Sequence, residues 1–160
     1  MLQTCDVLVV VGVDAEPEQE SVDDACQTEN VIVSQWREVS ADEKHELRDK
    51  VDEILRPLGL QTRLLVMERA NSIALYFICL TLSAVVSLRD QWRSQKLRDI
   101  VQELFLMLLS RATGVVQVKR LTWLLTDYER CLDFFSSVQG NIIIIIIITW
   151  FVSHVKSFTK

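Results

Sequence analysis

The chain has 160 residues, of which 49% are hydrophobic and 24% are charged, and its formal net charge is −5. This length suits one domain with a sizeable core and excludes two domains of ordinary size. The charge is uneven, because the first 36 residues hold eight carboxylates and no Lys or Arg, whereas the rest holds 17 basic and 14 acidic residues. No basic cluster is dense enough to neutralise several phosphates, which argues against nucleic-acid binding.

The amino-terminal part of the sequence combines an apolar run with an acidic stretch. Residues 7–13 have the composition of an edge strand, and the stretch that follows is acidic and contains Pro17. High net charge with low hydrophobicity is typical of flexible segments, so we assign 1–29 to an acidic, flexible N-terminal segment. A short β-prone piece at 31–34 then predicts the first strand of the folded domain.

A helix is predicted over residues 41–56. Ser40 and Glu43 form a capping box, which is a typical helix start. Pro57 and Gly59 mark its end. Apolar residues recur between these signals at helical spacing, at Leu47, Val51, Ile54, Leu55 and Leu58.

The central part of the sequence predicts a hairpin, a long helical region and a strand. Residues 61–68 and 73–80 are rich in β-branched, leucine and aromatic residues and are separated by a short polar turn, as in a hairpin. Residues 83–110 follow with helical periodicity, and their polar stretch at 90–95 is where we expect a bend. Alternating valines at 116 and 118 predict a strand after it.

Residues 120–132 join this strand to a last helix. Thr126 and Glu129 form a second capping box, which predicts a helix beginning at Asp127. We expect one side of this helix to be buried, through Leu125, Cys131, Leu132 and Phe135. We expect the other side to face water or a partner, through Tyr128, Arg130 and Asp133.

The order of predicted elements is strand, helix, strand, strand, helix, strand, helix. This order matches a split βαβ arrangement, in which helices cover one face of an antiparallel sheet. We therefore predict an α/β (α+β) sandwich with a four-stranded antiparallel sheet of ferredoxin-like type and helices packed on one face. The domain is placed at residues 30–139.

Chemistry-bearing residues are scattered along the chain. Without a catalytic constellation, a metal cluster or a phosphate loop, the sequence predicts a protein that is not an enzyme and has no cofactor or small-molecule substrate. His45 beside Glu46 fits a solvated helix face better than a catalytic base. The four cysteines form no motif and no secretory signal precedes them, which predicts reduced cytoplasmic thiols. Trp92 and Trp123 are candidate interface anchors, although core packing explains both better.

Residues 140–160 break the globular pattern with seven successive isoleucines at 142–148. Non-coding sequence read through a missed splice junction near Gln139 would produce such a run, so a gene-model artefact is one interpretation. A membrane tail anchor is the functional alternative, and it would make the chain a small membrane-associated protein. Only 11 residues, 142–152, run uninterrupted there, against the ~20 that a membrane span needs.

Two blocks of sequence are more particular than their periodicity requires. The first consists of Leu88-Arg89, Trp92-Arg93 and Leu97-Arg98, and the second of Arg120-Leu121, Leu124-Leu125, Asp127 and Glu129-Arg130-Cys131-Leu132. In these blocks, and in the spacing between them, residues 60–136 resemble the N-terminal domain of TRADD, the death-domain adaptor of tumour-necrosis-factor receptor signalling. The first block resembles the start of that domain's long helix, and the second resembles its last strand-to-helix passage.

The resemblance implies a sandwich fold that acts by protein–protein contact in apoptotic or innate-immune signalling. In that family the sheet side and adjacent loops dock the C-terminal domain of a TRAF protein. The family's polar contact stretch follows the last helix and would begin here at Gln139, which is therefore the candidate partner-binding residue. The family's death-domain contacts use a separate C-terminal domain, for which we expect no room after Ser136.

Overall fold

The computed structural model of the chain describes residues 5–16, 22–70, 72–110 and 115–136. The elements in chain order are β1 (Cys5–Glu16), α1 (Val22–Ala41), α2 (Arg48–Leu55), β2 (Thr62–Arg69), β3 (Ile73–Cys79), α3 (Leu82–Arg93), α4 (Lys96–Leu108), β4 (Val115–Thr122) and α5 (Leu125–Ser136). A short 3-10 turn, Arg56–Leu58, follows α2 directly. The predicted mixed α+β class, with helices and antiparallel strands, is confirmed.

The strands pair antiparallel in the order β2-β3-β1-β4. β1 therefore lies inside the sheet, where Val11 is opposite Ile73 of β3 on one side and Leu121 of β4 on the other. The prediction of a strand at residues 7–13 is right, but its assignment to a sheet edge is wrong. A run rich in β-branched valine suits a strand that has neighbours on both sides.

Residues 22–41 form the helix α1, where we predicted the end of a flexible acidic segment 1–29 and a strand at 31–34. For its described residues that prediction is wrong, and the predicted domain boundary at residue 30 falls inside α1. The buried residues of α1 are spaced for one helix face: Ile32, Val33, Trp36 and Val39. The buried acid Glu29 forms an ion pair with Arg69 of β2. Packing of this face outweighs the local β propensity.

A turn of residues 42–47 separates α1 from α2, where we predicted one helix over 41–56. The predicted capping box does not form, because Ser40 still lies in the last turn of α1 and its hydroxyl donates to a carbonyl of that helix (3.3 Å). In the turn, the Leu47 amide donates to Nδ1 of His45 (3.1 Å). His45 is therefore a half-buried acceptor that shapes a turn, and not a residue of a solvated helix face.

Three local predictions are confirmed. β2 and β3 form the predicted hairpin, closed by a turn in which the Ala70 amide donates to the Ser72 carbonyl (2.9 Å). The long helical region is divided into α3 and α4 within the polar stretch, where Gln95 has a φ of 69°. Left-handed backbone at a non-glycine residue interrupts the helix at that point. β4 occupies the predicted strand.

One hydrophobic core lies between the sheet and the helices. Each of the five helices of the described chain contributes buried side chains to it. From β3, the alternate residues Ile73, Leu75 and Phe77 point into this core. Ala74 and Tyr76 point the other way and belong to a separate small cluster, to which no described helix residue contributes.

Candidate functional site

The two sequence blocks that carry the resemblance meet around Arg89. The Arg89 side chain on α3 is 5% exposed, and its guanidinium carbon lies 4.2 Å from the ring centroid of Trp92, 5.0 Å from that of Trp123 and 4.9 Å from that of Tyr128. A guanidinium NH group donates to the Trp123 carbonyl (3.0 Å). We call these four residues the Arg89 cluster. Burial, with a smaller contribution from Arg93, lowers the pKa of the Arg89 guanidinium, and Tyr128 opposes this.

The Arg89 cluster holds the β4–α5 connection against α3. Trp123 packs edge-on against Trp92 at 6.4 Å and against Tyr128 at 5.7 Å. The Trp92 indole also donates to the Leu121 carbonyl of β4 (2.8 Å). Aromatic and cation–π contacts in a desolvated site are stabilising. Trp123 is buried and Trp92 half-buried, which agrees with core packing as the better explanation for both.

The orientation of α5 differs from the prediction. The helix begins at Leu125 instead of Asp127, and Leu125 is 54% exposed although we predicted it to be buried. Tyr128, predicted to face water or a partner, packs against the core together with Cys131. The Arg89 cluster explains the difference, because contact with the guanidinium turns Tyr128 inward. Local periodicity alone places the apolar side of α5 elsewhere.

The opposite side of the sheet from the core is formed by alternate residues of three strands. We call it the open sheet face, and its residues are Arg63, Val66 and Glu68 of β2, Ala74, Tyr76 and Ile78 of β3, and Arg120 and Thr122 of β4. Residues opposite each other in an antiparallel pair share a face. One row of paired residues crosses all four strands, from Glu68 through Ala74 and Val10 to Thr122.

On the inner strand β3, Ala74 and Tyr76 of the open sheet face are buried, so its exposed side chains lie on the two edge strands. Val66 on β2 is 40% exposed and lies opposite Tyr76, whereas Arg120 and Thr122 on β4 are exposed polar residues. Tyr76 is almost buried beneath its neighbours. Burial raises the pKa of the Tyr76 phenol to about 12, together with the charge of Glu68 and a hydrogen bond to that side chain.

Both edges of the sheet are partly covered. Along β4, the Gln102 side chain of α4 donates to the Val116 carbonyl (2.6 Å) and accepts from the Val118 amide. Along β2, the Trp36 indole of α1 donates to the Leu65 carbonyl (3.2 Å), at a point where the register shifts. Exposed strand edges attract further strands, and these contacts occupy backbone groups that such pairing uses. The open sheet face is therefore better placed than either edge to receive a partner.

Several predicted features lie outside the described residues. They are Gln139, the isoleucine run 142–148 and the rest of the tail. Among the described residues, no group of side chains has the composition of a metal site. Nor does any helix within that part of the chain combine the length and the hydrophobicity required to cross a membrane. Cys79 and Cys131 are buried and form no disulfide with each other.

Comparison with family models, with curated proteins and with solved structures gives no match for this chain. Function is therefore inferred from the surfaces of the fold and from the sequence resemblance. The resemblance pointed to the sheet side as a docking surface without naming its residues, although the hairpin contained the signal for them. With a short turn after residue 69, register alone places Glu68 opposite Ala74 and Val66 near Tyr76.

Proposed function

We propose that the chain is a protein–protein interaction module without enzymatic activity, similar to the TRADD N-terminal domain. It acts as a cytoplasmic adaptor in death-receptor or innate-immune signalling and docks the C-terminal domain of a TRAF-family protein. Within this proposal the fold is the split βαβ, ferredoxin-like arrangement, which the strand order β2-β3-β1-β4 supports. The two sequence blocks that resemble the TRADD N-terminal domain contact each other around Arg89, and this contact supports a structure shared with that domain.

The observation that carries the proposal is the open sheet face. It carries the partly exposed apolar residue Val66 and the charged residue Glu68 on the edge strand β2, and the polar residues Arg120 and Thr122 on the opposite edge strand β4. Exposed apolar and polar side chains on one face are the usual composition of a protein interface. The contacts that cover both sheet edges favour docking on the face over the addition of a strand.

The experiment is a calorimetric titration of the full chain with purified TRAF C-terminal domains. We expect binding in the micromolar range or tighter. Val66→Glu places a charge at the exposed apolar residue of this face and should weaken binding by about tenfold or more. Leu106→Glu is the matched control, because Leu106 is 46% exposed, close to the 40% of Val66, but lies on α4. It should bind as the unmodified chain does.

A second pair of variants tests the polar side of the face. Arg120→Glu reverses a charge on the open sheet face, whereas Arg130→Glu makes the same change on the exposed side of α5. Only the first should change the affinity or its dependence on salt. The proposal fails if a chain that melts cooperatively binds no TRAF C-terminal domain, or if each variant binds like its control.

A further inference from the structure

A groove of about 680 Å³ opens beside the edge strand β2, on the other side of that strand from β3. The C-terminal part of α1, the helix α2 and the 3-10 turn form its other walls. The buried residues Trp36, Val51 and Leu64 contribute an apolar floor. At the rim, Leu60 is 91% exposed. Leu65, which also lines the groove, is 43% exposed, so an exposed apolar patch borders the concave surface. Such a patch beside a concave surface is typical of a place where another molecule binds.

The charge of the groove is strongly one-sided. Three arginines line it, Arg48, Arg56 and Arg63, and Asp52 is the one carboxylate among the lining residues. Arg48 is already engaged, since its Nε lies 3.4 Å from the Asp52 carboxylate and its NH group donates to a backbone carbonyl of α1. Arg56 and Arg63 are exposed and form no ion pair with any described residue. The groove therefore offers two exposed guanidinium groups, which suit carboxylates.

The edge of β2 does not provide a continuous ladder for a guest strand at this place. The register shifts between Leu64 and Val66, and the Leu65 carbonyl already accepts a hydrogen bond from Trp36. A partner in the groove is consequently recognised through side chains, by charge and by apolar contact, more than through backbone pairing.

The acidic residues 14–20 of this chain are badly placed to fill the groove. Thr62 at the groove pairs with Cys79, which pairs in turn with Cys5 at the start of β1, whereas Glu16 lies at the far end of that strand. Across the 12 residues of β1 the separation is about 35 Å. Residues 17–21 between Glu16 and α1 span at most about 20 Å when extended. Residues 137–160 contain Lys156 and Lys160 but no Asp or Glu, so their charge does not complement the groove.

We propose that the groove binds a short acidic segment of another protein. An apolar side chain of that segment packs against Leu60 and the apolar floor, and flanking carboxylates pair with Arg56 and Arg63. Arg63 borders both this site and the open sheet face, whereas Arg56 and Leu60 belong to the groove alone. The chain therefore joins two partners, one on the sheet and one beside α2.

The test uses the full chain and two pools of fluorescein-labelled peptides, read by fluorescence polarisation. Both pools have a central pair of leucines, which Asp and Glu flank in one pool and Asn and Gln flank in the other. We expect the acidic pool to bind at least about tenfold more tightly than the amide pool. Its affinity should fall as salt is added, because the ion pairs at the rim are exposed.

Two matched pairs of variants locate the binding. Arg56→Glu should weaken binding of the acidic pool by about tenfold, whereas Arg130→Glu, the same change on α5, should not. Leu60→Ser should weaken it by a similar factor of about ten. Leu124→Ser is its control, because Leu124 is 59% exposed and lies in the β4–α5 connection. Both leucines are exposed, so neither change disturbs the core.

Three results would overturn the proposal: no binding of the acidic pool, equal binding of both pools, or Arg56→Glu binding like Arg130→Glu. The outcome is independent of the TRAF titration, because Arg56→Glu leaves the open sheet face unchanged. A chain that binds acidic peptides and no TRAF domain would keep this site and lose the proposed adaptor function. A chain that binds a TRAF domain and no acidic peptides would keep the proposed adaptor function and lose this site.

Discussion

Replacing Arg89 by methionine removes the cation of the Arg89 cluster and keeps an unbranched side chain. The lost hydrogen bond to the Trp123 carbonyl, with a charged donor, is worth ~1.5–3 kcal/mol. The contacts with three rings share one cation, and together they contribute about 2 kcal/mol. Arg89 Nε is buried without a hydrogen-bond partner among the described residues, and removing that penalty returns about 1–2 kcal/mol. We therefore expect Arg89→Met to lower the free energy of unfolding by about 2–3 kcal/mol.

The assay is urea denaturation followed by far-ultraviolet circular dichroism. Tryptophan fluorescence is less suitable, because Trp92 and Trp123 are in contact with the substituted residue. With an m-value of ~2 kcal/mol/M, the midpoint should fall by about 1 M or slightly more. Arg89→Lys keeps the charge but loses the planar group and should cost about 1–2 kcal/mol. Arg93→Met, an exposed position one turn further along α3, should stay within ~0.5 kcal/mol.

The reasoning would be refuted if Arg89→Met unfolded at the same urea concentration as the unmodified chain. The cost of burying the guanidinium would then equal everything that its contacts contribute. A loss as large for Arg93→Met would also refute it, because the effect would belong to the charge of α3 and not to the Arg89 cluster.

Three further predictions concern the core, α5 and the open sheet face. Leu104→Ala at a fully buried position of α4 should cost about 2–5 kcal/mol in urea denaturation, whereas Leu106→Ala on the exposed side should cost less than ~1 kcal/mol. Leu125→Asp should change the free energy of unfolding by no more than ~0.5 kcal/mol, since Leu125 is 54% exposed. A variant that fails to fold would instead show that Leu125 is buried, as the sequence predicted. In a Tyr128→Phe variant, tyrosinate absorbance should develop around pH 12 and not around the ordinary value of 10.0. Because folding raises the pKa of Tyr76, the contribution of its neutral phenol to stability is complete below pH 10 and is lost as the pH rises through about 12. Titration at the ordinary value would show that the phenol is not buried beside Glu68.

Much of the local structure could be read from the sequence. The hairpin of β2 and β3, the division between α3 and α4, and the strand β4 depend on turn residues, polar interruptions and alternation within a few positions. The open sheet face follows from the hairpin register, so its β2 and β3 residues were within reach of the same reasoning. The groove could not be predicted from the sequence, because its walls come from α1, α2 and β2 and its arginines are far apart in the chain.

By itself, the sequence determined the class of the fold, the hairpin and the position of the later elements, since periodicity and turn chemistry are local properties. Only the tertiary structure decided that β1 lies inside the sheet and that residues 22–41 form a helix, because partners distant in sequence supply the packing. The same holds for α5, whose orientation depends on the contact of Tyr128 with Arg89. Local propensities differ by less than ~1 kcal/mol per residue, and contacts between distant residues outweigh them.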